Sequence, residues 1–121
     1  MNRVVFLGIL LLAAMNVQGA DLQAKVTEIT ADYGNIDTDV SLEQLVELDI
    51  KPGDRFGVTF GDHHVTAKFG ASYGDVPRGE WIGLFTDLGK LRIARNLENA
   101  AKTIGIAAGD LVTISQITAD P

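Results

Sequence analysis

The spacing of apolar residues along this 121-residue chain changes repeatedly, and each change marks an element. Val4 to Met15 is an unbroken apolar run. Leu22 to Ala31 is rich in Val, Thr and Ile and reads as a first strand, ending in the turn-prone cluster Asp32-Tyr33-Gly34-Asn35. Ser41-Leu42-Glu43-Gln44 has the form of a capping box. Leu42, Leu45 and Val46 lie behind it as a stripe, which predicts a two-turn helix over 41–48. After a turn at Pro52-Gly53-Asp54, Phe56, Val58 and Phe60 alternate with polar or small residues, the period of a half-buried strand. Gly61-Asp62 then turns the chain into Val65, Ala67 and Phe69, so these two strands form a hairpin.

A loop from Gly70 to Gly79 leads to strands at Trp81–Phe85 and Leu91–Ala94, separated by Asp87-Leu88-Gly89. Asn96 is placed to cap a second helix over 96–104, with Gly105 as its left-handed stop, and the last strand is Leu111–Ile117. Ile50-Lys51-Pro52-Gly53-Asp54 and Ile106-Ala107-Ala108-Gly109-Asp110 echo one another, which reads as a recurring strand-entry turn and not as a repeat architecture. Six or so short strands and two brief helices predict a mainly β fold, a small partly closed β-barrel.

The first apolar run changes the picture of the compartment. Met1-Asn2-Arg3 is a positive head, and Gly19 and Ala20 offer a small-residue exit, the order of a secretory signal peptide. The run is shorter than the roughly 20 residues of a transmembrane helix. The expectation is a signal peptide over 1–20, cleaved after Gly19 or Ala20, and one exported domain over 21–121, periplasmic or extracellular, with no membrane association after cleavage. The net charge of −6 becomes more negative when Arg3 leaves, and no basic stripe offsets it, which argues against nucleic acid as a partner. There are no cysteines, so stability rests on an apolar core.

Candidate chemistry is sparse. His63 and His64 are adjacent on a strand, point to opposite faces and cannot readily chelate one metal; they read as a solvated turn. No nucleophile elbow and no phosphate-cradling glycine loop occur. Two places stand out. Tyr33 and Asn35, one glycine apart, could set a ring face and an amide around a planar base, the amide matching adenine's N6/N7 edge. The alternative is a turn whose aromatic covers the barrel end. Strand parity puts Arg95 on the inward face with Leu91 and Ile93, where it must find partners. These are a carboxylate or, together with Asn96, a ligand.

At these two places the chain resembles the C-terminal domain of the S-adenosylmethionine (SAM) hydroxide adenosyltransferases, the family of SAM hydrolases and of the fluorinating and chlorinating enzymes. Val26 to Asn35, ending Thr30-Ala31-Asp32-Tyr33-Gly34-Asn35, is similar to the family's strand followed by Asp-Arg-Phe-Gly-Asn, with Asp32 displaced by one against the aromatic, and Thr38-Asp39-Val40 to its Thr-Asn-Ile. Tyr73-Gly74-Asp75-Val76-Pro77-Arg78-Gly79-Glu80 resembles Tyr-Ala-Asp-Val-Pro-x-Gly-Glu. Gly89 to Asn96 resembles Gly-x-Leu-x-Ile-Ala-x-Asn, and Ala100 to Val112 the closing Ala-Ala-x-x-Leu-Gly-Ile-x-x-Gly-Asp-x-Val run.

The resemblance implies a β-barrel domain that frames the adenine and part of the adenosyl group. In the family the rest of the site, including the aspartate that orients the attacking water or halide, comes from an N-terminal domain across a trimer interface. Carried over by position, the adenine-side residues are Tyr33, Asn35, Arg95, Asn96 and Leu97. Asp37 departs from the family's usual apolar or aromatic residue, and Asp87-Leu88 stands where Ser-Arg or Ser-Ser is common.

One domain of about 100 residues has no room for the second. The expectation is therefore a stand-alone exported domain, non-catalytic alone, with no catalytic residues, metal or cofactor, that binds adenosine or a SAM-like ligand weakly. The alternatives are an accessory domain with a vestigial pocket, acting through a protein partner or as a homo-oligomer, and one subunit of a split SAM hydrolase.

Overall fold

Seven strands and two short helices account for most of residues 21–117, the part described by the structure, a computed structural model. The expected signal peptide lies outside the described residues. In chain order the elements are β1 (Asp21–Ile29), β2 (Ile36–Ser41), α1 (Leu42–Glu47), β3 (Arg55–Phe60), β4 (His63–Phe69), a 3-10 turn (Tyr73–Asp75), β5 (Trp81–Phe85), β6 (Lys90–Arg95), α2 (Ala100–Ile104) and β7 (Leu111–Gln116).

The sheet is a closed barrel in the order β1-β2-β6-β5-β4-β3-β7, mainly β with two short helices. It closes fully where part-closure was expected. β7 pairs with β1 at Ser115↔Asp21 and with β3 at Ser115↔Gly57, so neither neighbour is left as an edge. Phe56, Val58, Ile36, Ile93, Val112 and Ile114 alternate with polar or small residues and fill the barrel, each essentially without solvent contact. The helix cap at Ser41 forms as read: Gln44 N donates to Ser41 Oγ and Ser41 N donates to Gln44 Oε1, while Leu45 is buried beneath.

Two boundaries differ from the sequence reading. β1 stops at Ile29, and Ile36–Ser41, to which the sequence reading gave no element, forms a further strand. Its apolar-polar alternation is genuine, with Ile36, Thr38 and Val40 buried; the two aspartates, residues that strands disfavour, hid it. The second helix starts at Ala100 with Asn99, not Asn96, as N-cap. Asn96 is committed elsewhere, its Nδ2 donating to Val76 O at 2.8 Å, and Leu97 has φ of 62°, outside helical space.

The echo seen in the sequence is geometric. Lys51 N donates to Asp54 Oδ2 and Ala107 N to Asp110 Oδ2, at 2.8 and 2.9 Å, and both loops enter a strand. The likeness extends to the preceding hairpins. Gly34 N donates to Thr30 O and Gly89 N to Thr86 O, both at 2.9 Å. Strand, turn, strand, helix, turn, strand thus occurs twice, from β1 to β3 and from β5 to β7, a repeat of architecture where only a recurring turn was expected. β2 pairs antiparallel with β6 and β3 with β7, as an approximate two-fold axis requires. β4 is the inserted strand, and its pairing with β5 is the barrel's parallel one.

Candidate functional site

The two turns that correspond under this approximate symmetry differ in content. One carries Tyr33 and Asn35 where the other has Leu88 and Lys90, and only the first borders a cleft of about 880 Å³. Thr30 fixes that turn: its Oγ1 accepts from Asn35 N at 2.9 Å, and its N donates to Asn35 O at 3.0 Å. Asn35 is consequently held inward, 6 % exposed, while the Tyr33 ring is 71 % exposed at the mouth. Gly34 O accepts from Ala101 N at 2.9 Å, which docks the start of α2 against the turn.

The end of β6 forms the second wall. Arg95 Nε donates to Gly79 O at 2.8 Å and Nη1 to Thr103 Oγ1 at 2.9 Å, and its guanidinium lies 5.8 Å from the centre of the Trp81 ring. Among the described residues it makes no ion pair, so the expected carboxylate partner is replaced by a carbonyl, a hydroxyl and a ring face. Asn96 and Leu97 follow it, Leu97 70 % exposed on its left-handed backbone. Tyr33, Asn35, Arg95, Asn96 and Leu97 all line the one cleft, brought together from segments far apart in the chain.

Sequence reasoning assigned no role to the third group. Tyr73 Oη accepts from Asn35 Nδ2 at 3.0 Å and from Arg92 Nη1 at 3.3 Å. Arg92 in turn donates to both carboxylate oxygens of Asp37, at 2.6 and 3.0 Å, as the pairing Asp37↔Arg92 between β2 and β6 dictates. This contact with Asp37 raises the Arg92 pKa further above its ordinary value. Tyr73 was visible only as part of a longer likeness, and nothing in the local pattern ties Asp37 to a residue on another strand. His63 and His64 lie outside the cleft, with His64 Nδ1 2.8 Å from Thr59 Oγ1.

The loop that carries Tyr73 is pinned by Asp75, whose Oδ2 accepts from Ala71 N at 2.7 Å and Ser72 N at 3.1 Å. Those two backbone donors lower the Asp75 pKa. A carboxylate with a lowered folded pKa stabilises above its unfolded pKa, and the contribution is lost as pH falls through the folded value. Amide exchange at Ala71 and Ser72 should therefore accelerate, relative to intrinsic rates, as the solution is taken into that acidic range. In Asp75→Asn the pH-dependent part should vanish. Unchanged protection of the two amides throughout would contradict this.

Residues 25–113 match the SAM hydroxide adenosyltransferase C-terminal domain family. Among solved structures, the chain is similar to an uncharacterized conserved protein from Thermotoga maritima, with TM-score 0.75 and 25 % identity over 79 % of this chain and 36 % of that one. It shares its fold with a conserved hypothetical protein from Thermus thermophilus, with TM-score 0.55 and 23 % identity over 76 % of this chain and 34 % of that one. The chain thus spans only about a third of the length of either structure. No curated protein matches it.

Proposed function

Because the chain belongs to the SAM hydroxide adenosyltransferase C-terminal domain family, we propose that it is an exported binding module for adenosine or a SAM-like ligand, without catalysis of its own. The observation that carries this is the convergence of Tyr33, Asn35, Arg95, Asn96 and Leu97 on one cleft. An exposed ring and a buried amide beside it are the two elements needed to stack a planar base and read its edge. The expected affinity is weak, around millimolar, because a stack and a few hydrogen bonds must also offset the entropy of association. Hydrolysis needs a positioned water and a carboxylate to orient it, and in the resemblance these come from another domain. Among the described residues no group of three or more His, Asp or Glu is placed to hold a metal ion.

A second reading is favoured by the exposure of Tyr33 and Leu97 at the mouth, which would suit an accessory domain covered there by a protein partner. Titrating adenosine while following amide shifts separates the two. Binding should move residues 33–35 and 95–97 together, and Asn35→Ala should weaken it tenfold or more, since an amide reading adenine's edge is worth about 1–3 kcal/mol. The same samples should leave SAM intact. Silence at millimolar adenosine would leave the accessory reading, and turnover by rigorously purified protein would favour a hydrolase subunit.

A further inference from the structure

The approximate two-fold that relates the halves of the barrel also relates two poles, and the cleft occupies one of them. At the other, Leu88 holds in the β5–β6 turn the place that Tyr33 holds in the β1–β2 turn, and it is 85 % exposed. At the cleft, Asn96, Leu97 and Glu98 separate β6 from the cap of α2. At the Leu88 pole α1 follows β2 directly, Ser41 being both the last strand residue and the helix cap. Ser41 pairs with Lys90 across β2 and β6. Leu42 is the next residue after Ser41, and Leu88 lies two before Lys90. The antiparallel register therefore brings both to the same end of the strand pair, where neighbouring backbones are about 4.8 Å apart. Val46 stands one helical turn from Leu42 on the same face of α1. These two are 46 % and 64 % exposed, while Leu45 turns into the core. Carboxylates surround the three apolar side chains: Glu43 and Glu47 beside Leu42 and Val46, and Asp87 beside Leu88, all exposed. The cations of these two segments are Lys90 and Lys51, and Lys51 is paired with Asp49 at 3.2 Å.

We propose that the surface of Leu42, Val46 and Leu88 docks a segment of another protein in which apolar side chains are interleaved with Lys or Arg. Charge decides among the occupants. In an isologous contact a second copy would set Glu43, Glu47 and Asp87 against themselves, and an anionic lipid surface would meet the same repulsion. A basic segment covers the apolar side chains while its cations face the three carboxylates. Three side chains make a small patch, so the contact is a transient one. This surface is separate from the cleft, and the proposal stands whether or not the cleft binds adenosine.

The test uses the mature chain, residues 21–121, which holds every described element, and a short synthetic amphipathic peptide of Leu and Lys. Titration should move the amide signals of residues 42–47 and 87–90 and leave those of 33–35 and 95–97 still. Val46→Ser and Leu88→Ser, at exposed positions that leave the fold intact, should each weaken binding roughly tenfold. Raising the salt from about 0.05 M to about 0.5 M should weaken it as well. A spectrum unmoved at millimolar peptide would overturn the proposal. Equal binding of a peptide with Ser in place of Leu would also overturn it, by reducing the effect to general attraction for an acidic protein. Equal binding of one with Glu in place of Lys would remove the charge argument and with it the proposed partner. Shifts of the same residues that grow with protein concentration in peptide-free samples would assign the surface to a second copy instead. Association with phosphatidylglycerol vesicles, lost in Leu88→Ser, would assign it to lipid.

Discussion

Gly34→Ala should lower the melting temperature by about 10–20 °C, the largest effect expected at the cleft. Gly34 has φ of 66°, where a side chain costs about 1–2 kcal/mol. A methyl group there would also overlap the side-chain amide of Asn99, the residue that caps α2 by accepting from Lys102 N at 2.8 Å. Overpacking of that kind adds about 1–3 kcal/mol, so a total near 3 kcal/mol is expected. Each kcal/mol shifts a domain of this size by roughly 4–8 °C. Gly53→Ala is the control, since Gly53 also has positive φ, 95°, but open space at its Cβ position. It should lose only the backbone part. Equal losses in the two variants would show that the contact with Asn99 does not matter.

The residues around Gly34 also show how far a sequence can be read. The strands that alternate cleanly, Phe56 to Phe60 and Val65 to Phe69, fell where the period of two put them, because burial on one face is a local signal. The Ser41–Gln44 cap was equally local, its donors and acceptors three residues apart. The helix start was misplaced because Asn96 and Asn99 are both caps by composition, and the choice between them is made by Val76, a residue from another loop. Likewise the parity argument put Arg95 with the inward residues, but its partners, Gly79, Thr103 and Trp81, belong to three other segments. The five cleft residues could be named from a resemblance; the network that orients them could not. Tyr73, Arg92 and Asp37 are joined by tertiary contacts across 19 and 55 residues, which no local pattern encodes.

That network makes the second large prediction: Asp37→Ala should destabilise the protein by about 2 kcal/mol and disorder the cleft. Removing one partner of a buried ion pair costs about 3–5 kcal/mol, because the other charge is left without compensation. Here the side chains of Arg92 and Asp37 remain 24 % and 16 % exposed, so water takes up part of the loss and the cost falls below that range. The unclamped Arg92 should release Tyr73, so the side-chain amide signals of Asn35 should broaden or shift in Asp37→Ala. Replacing both residues by leucine tests what the pair is for. Two apolar side chains opposite one another on β2 and β6 fit a strand interface and leave no orphaned charge, so most of the stability should return. The adenosine response should not return, because Tyr73, which lines the cleft, would still lack the Arg92 contact that holds its Oη. Recovery of stability without recovery of binding would assign the ion pair to orientation of the cleft. Recovery of both would mean that Tyr73 is held by its own loop and that the Asp37–Arg92 clamp is dispensable for the site.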